Sequence, residues 1–96
     1  MNTLVLKDLI KDTSSNEQGE VLFNLMKKYF NSSESFILEV DTDLSLSSSF
    51  LNSSFGQFLD LYGLISLKKI IKIKGSKFQF QKISNYIESY NEIYLV

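Results

Sequence analysis

The chain has 96 residues, 44% of them hydrophobic and 14% aromatic, which suits one hydrophobic core but not two, so a single domain over 1–96 is expected. Its formal net charge is −1 and its ten basic residues are all lysine. This argues against a dedicated nucleic-acid or acidic-membrane binder and removes the bidentate guanidinium contacts of specific base reading. With no cysteine and no histidine, disulfides, thiolate chemistry and the usual hydrolytic triads are excluded, and the commonest zinc ligands are missing.

The opening segment MNTLVLKDLIKD has neither a basic start nor a long apolar run. No signal peptide or membrane span is expected, and the expected location is cytoplasmic. Within it, TLVLKDLI at 3–10 reads as a first strand. DTSS at 12–15 punctuates the chain, and Ser14 followed by Glu17 has capping-box spacing. Val21, Leu22, Leu25, Met26, Tyr29 and Phe30 recur at helical intervals, which predicts a helix over about 15–30. Gly19 in its first turn weakens that helix by about 1 kcal/mol relative to Ala. It reads either as tolerance near a frayed end or as a place where a partner's backbone comes close.

After the polar break NSSES, the run FILEVD at 36–41 suits a central strand covered on both faces. The second helix is the clearest. Leu51, Phe55, Phe58, Leu59 and Tyr62 form one apolar stripe, and Gly63 falls at the C-cap position. LKKIIKIKG at 67–75 reads as a strand, with Ile71 and Ile73 facing away from Ile70, Lys72 and Lys74. Ser76 with Gln79 opens a third helix whose Phe80, Ile83, Ile87 and Tyr90 line one face, and the closing IYLV reads as a short added strand or a docked tail. The order predicts an α/β fold, a small βαβαβα domain with helices mainly on one face of an open mixed sheet. Its N-terminal strand is free to run antiparallel at an edge.

The four glycines, at 19, 56, 63 and 75, are scattered, so no phosphate loop is present. Asp41 and Asp43 stand at the C-terminal end of the central strand, where open α/β sheets place ligands and where two carboxylates could hold magnesium. They read first as solvated loop acids, and no metal or cofactor is expected. No nucleophile and base pair stands out, so no enzymatic activity is expected. Lysines 68, 69, 72, 74, 77 and 82 occupy a stretch without acidic residues, with Phe78 and Phe80 among them. Such interleaving can bind single-stranded nucleic acid, and lysines alternating on a strand also guard a sheet edge. The stretch supports an alternative function, a nucleotide- or nucleic-acid-binding accessory factor of the defence or phage kind using Lys68, Lys69, Lys72, Lys74 and Lys77.

The segment LSLSSSFLNSSFG, 44–56, packs six serines among apolar residues at the entrance of the second helix. Ser47, Ser48 or Ser49 could each serve as its N-cap, a role that needs only one of them. An exposed serine at such an entrance is also a place where free N–H groups and the helix dipole would hold a phosphate.

SSFLNSSFGQFL, 48–59, closely resembles the motif SSFLDEAFGGL of the STAS-like domain family of unknown function. The preceding QGEVLFNLMKKYF and FILEVD follow that family's layout of first helix, central strand and serine-headed second helix. Asn52, Ser53 and Ser54 replace the usual acidic and small residues, and Gln57 replaces the second glycine. The family is similar in turn to the anti-sigma factor antagonists, whose Asp-Ser-Ser-Gly-Leu motif falls here on Ser47, Ser48, Ser49, Phe50 and Leu51. The resemblance implies a non-catalytic regulatory module for protein–protein interaction, with Ser48 as phosphoacceptor and a histidine-kinase-like ATPase as partner. Its expected contact residues are Asp43, Ser45, Ser47, Ser48, Ser49, Asn52, Ser53 and Gln57.

Overall fold

Alternation in FILEV sends Phe36, Leu38 and Val40 to one face of a strand and Ile37 and Glu39 to the other. A computed structural model, which describes the backbone of residues 2–94 and the side chains of residues 2–90, builds the protein around this strand. In chain order it has β1 (Asn2–Val5), α1 (Leu6–Leu9), α2 (Asn16–Asn31), β2 (Phe36–Val40) and α3 (Ser48–Leu51). A π turn (Asn52–Gly56) then runs into α4 (Gln57–Ile70), followed by β3 (Ile71–Gly75) and α5 (Lys77–Tyr94).

The strands lie in the order β1-β2-β3, with Leu4 beside Leu38 and Leu38 beside Ile73. Both pairs are parallel, so the mixed sheet with an antiparallel edge strand is corrected to a parallel one. A helical crossover between successive strands returns the chain to its starting end, which is the connection parallel neighbours require.

One face of the sheet carries the core. Phe36, Leu38 and Val40 are buried with Leu22 and Met26 of α2, and with Phe50, Phe55 and Phe58 of the serine-headed helix. Phe30, Phe58 and Tyr62 stack at its margin, with ring centroids 4.5 to 5.8 Å apart. The opposite face presents Thr3, Val5, Ile37, Glu39, Lys72 and Lys74, none of them buried. The central strand is therefore covered on one side only. Ile37 is the lone apolar residue there on β2, too little to hold a second layer of helices.

Several element limits differ from the expected ones. The first strand ends at Val5, because Leu6 and Ile10 stand four apart and a helical turn lets both be buried. Residues 67–70 finish α4 instead of starting β3, since Leu67 and Ile70 are buried at helical spacing. Gly63 does break α4, with φ 85° and ψ 170°, but helix resumes after it. The N-cap of α2 is Ser15, whose Oγ accepts from the N–H of Gln18 at 3.3 Å, one residue later than the Ser14 spacing suggests. Within α2, Phe23 is buried and Val21 is exposed. At the other end, Ile93 and Tyr94 continue α5, where an added strand or docked tail was expected, and Leu95 and Val96 lie outside the described residues. Among the described residues, no helix is long and apolar enough to cross a membrane.

Candidate functional site

At the C-terminal edge of the sheet, β2 opens into the loop 41–47 that feeds the serine-headed helix, and this loop is tied down from three directions. The Asp41 carboxylate meets Lys7 Nζ of α1 at 2.6 Å. That hydrogen bond, reinforced by the attraction between the two charges, raises the pKa of Lys7 above its ordinary 10.5. From α5, the buried Gln79 sends its Nε2 to the carbonyls of both Asp41 and Leu44, each at 2.7 Å. From the segment before α2, the buried Thr13 donates its hydroxyl to the Ser45 carbonyl at 2.6 Å and accepts the Ser47 N–H on its own carbonyl at 3.0 Å.

That segment is itself pinned. The backbone N–H groups of Ser14 and Ser15 both donate to Asp12 Oδ1 at 3.0 Å, a turn that short acidic side chains favour. The bond from the Ser14 N–H is the main cause holding the Asp12 carboxyl below its ordinary value of 3.8. Ser47 then joins the two pieces, because its Oγ accepts from the N–H of Phe50 at 3.1 Å and donates to the Ser14 carbonyl at 2.9 Å. The cap among the three consecutive serines is therefore Ser47, and Ser48 and Ser49 stand exposed in the first turn.

Beyond that turn the helix widens. In the π turn, the Gln57 N–H reaches back five residues to the Asn52 carbonyl, the wider spacing of a π-type turn. Two serines bond back to carbonyls of the preceding turn. Ser54 Oγ donates to the Phe50 carbonyl at 2.7 Å, and Ser53 Oγ to that of Ser49 at 2.9 Å. Both hydroxyls are spent on the helix's own backbone. Gly19 of α2 lies directly against Ser53, so the close approach at that glycine is made by the protein's own helix and not by a partner.

The expected contact residues therefore separate. Asp43, Ser45, Ser48, Ser49 and Asn52 are exposed, Ser47 is a partly covered cap, and Gln57 is half-buried. Ser53 is half-buried, with its Oγ against Gly19 and bonded to the Ser49 carbonyl. Asn52 is also engaged, accepting the Tyr86 hydroxyl at 2.5 Å, and Tyr90 reaches Asp60 from the same face of α5.

The lysines fall into separate places. Lys68 and Lys69 close α4, Lys72 and Lys74 project from the bare face of the sheet, and Lys77 sits in the first turn of α5, all exposed. Lys74 lies 3.5 Å from Glu39. Phe80 is half exposed and not part of the buried stripe expected for α5. Among the described residues, no group of three or more acidic side chains could hold a metal ion.

Two features escape the sequence pattern. Gln79 has the spacing of a capping residue, and its N–H does donate to Ser76 Oγ at 3.2 Å, but its side chain serves the distant loop. Thr13 sits in a polar run that reads as punctuation, and its hydrogen-bond partners stand more than 30 residues away. No curated protein and no solved structure matches the chain. The model of the STAS-like domain of unknown function matches residues 18–79, which take in α2, β2, the serine-headed helix and β3, and the chain belongs to that family.

Proposed function

We propose that the chain is a non-catalytic regulatory module that docks a protein partner through the loop at 43–49 and the adjacent Asn52. The observation that carries this reading is the contrast within the loop. Its backbone is held by Thr13, Ser47 and Gln79, while Asp43, Ser45, Ser48 and Ser49 remain exposed. A surface ordered before binding loses little conformational freedom on docking, which favours recognition of a partner. Membership of a STAS-like family supports a regulatory or interaction role.

In this reading the partner is a histidine-kinase-like ATPase, and Ser48 accepts its phosphate. A phosphate there adds roughly −1.5 to −2 charges at pH 7 to a contact that already holds Asp43, so repulsion and desolvation release the partner. The test incubates the protein with such an ATPase and ATP and reads phosphate uptake by intact mass and association by calorimetry. The expected result is one phosphate that Ser48→Ala abolishes, with association weakened once it is added. Phosphate retained in Ser48→Ala rejects the switch, and no association with or without nucleotide rejects the partner.

A further inference from the structure

Among the described residues, β3 is an edge of the sheet, since the strand order ends with it. An edge strand presents unpaired N–H and C=O groups that can accept another extended chain. Beside it lies an open groove of about 630 Å³ between the end of α4, β3 and α5. Leu64, Ile71, Ile73, Phe80, Ile83 and Ile87 make its walls mainly apolar, with Lys68 and Lys72 at the rim and Glu88 on the α5 side.

The pleat decides what such a chain should look like. By alternation Ile71 and Ile73 share the groove side of β3 and Lys72 and Lys74 start from the bare side, with the Lys72 side chain also reaching the groove's margin. A strand added next to β3 would therefore set alternate residues over the groove and over the lysines. The protein already contains half of this arrangement. On the other side of β3, β2 places Glu39 level with Lys74, and the two form an ion pair at 3.5 Å. Lys72 is level with Ile37 and, among the described residues, has no ion-pair partner. A second copy pairing edge to edge would bring lysines against lysines, which disfavours self-association.

From these relations we infer that β3 receives an extended acidic segment of a partner protein, alternating Glu or Asp with Val, Ile or Leu. Its apolar residues fill the groove and its carboxylates meet Lys72 and Lys74. This site is separate from the serine loop, so it stands whether or not Ser48 is phosphorylated.

The test titrates the full chain with a short labelled peptide alternating Glu with Val and Ile, read by fluorescence anisotropy and by amide hydrogen exchange. Saturable binding is expected, with new protection confined to amides of Ile71–Gly75. The exposed changes Lys72→Glu and Lys74→Glu together should weaken it about tenfold or more, because like charges then face each other, and Phe80→Ser should weaken it without unfolding the chain. Equal binding of a peptide with Lys in place of Glu overturns the proposal, as does protection elsewhere or no binding at low salt. Concentration-dependent protection of β3 without peptide would assign the edge to a second copy. Displacement of the peptide by oligothymidylate at lower concentration would assign it to nucleic acid.

Discussion

Gly19 and Ser53 meet with no room for a side chain between them: a Cβ at position 19 would stand 1.8 Å from Ser53 Oγ and 2.7 Å from the Phe50 carbonyl oxygen. The hydroxyl could rotate away only by giving up its bonds to the Ser49 and Phe50 carbonyls. The backbone oxygen cannot rotate at all. Gly19→Ala should gain about 1 kcal/mol of helix propensity and lose about 1–3 kcal/mol to overpacking, so a net loss is expected in urea denaturation. A variant as stable as the wild type would show that α2 and the π turn can slide apart freely.

Gln79→Ala should cost about 2–4 kcal/mol, since it strips hydrogen bonds from two carbonyls at once and frees the loop that they hold. Gln79→Met keeps most of the volume without the donor and should not restore stability. Hydrogen exchange should quicken in residues 41–46 of both variants. Full rescue by Met would assign the effect to packing.

Ser47→Ala should lower stability by about 1 kcal/mol, the usual value of an N-cap, whereas Ser48→Ala should stay within about 0.5 kcal/mol of wild type, as exposed positions do. Thermal melts of the two variants compare them directly. The reverse order would place the cap at Ser48 and remove that hydroxyl from the surface.

Two groups should give the stability curve opposite dependences at its ends. Asp12 is held below its ordinary value of 3.8, so its contribution is present above that value and is lost as pH falls through the lowered folded-state value. Lys7 is held above 10.5, so its contribution is complete below that value and is lost as pH rises through the raised one. Melts across the pH range should therefore show Asp12→Ala approaching wild type only at the acid end. Lys7→Met should approach it as pH rises through the raised Lys7 value, and differences independent of pH would contradict both assignments.

The helices were legible because burial follows their spacing. Leu51, Phe55, Phe58 and Leu59 are almost wholly covered, as their stripe demands. The parallel order was less legible, because β1 and β3 are short and local pattern carries no sign of strand direction. At the site, the need for one cap among Ser47 to Ser49 followed from helix chemistry, but its choice did not. Ser47 takes it through the Ser14 carbonyl, a partner far off in the sequence. Nothing in the sequence pattern signals that the Ser53 and Ser54 hydroxyls bond back to carbonyls of the preceding turn, a geometry that only the folded helix supplies.

The parallel sheet also sets the order in which the chain can fold. Asn2 pairs with Phe36 and Phe36 with Ile71, so no strand neighbours the strand next to it through a tight turn. Nothing resembling a hairpin is available to nucleate the sheet, and each strand pairing must first close a loop that contains a helix. Helical turns form far faster than such loops close. Helical turns are therefore expected to form before any strand pairing, while the docking of Gly19 on Ser53 must close a loop as long as the one between Asn2 and Phe36 and is expected to form together with the sheet.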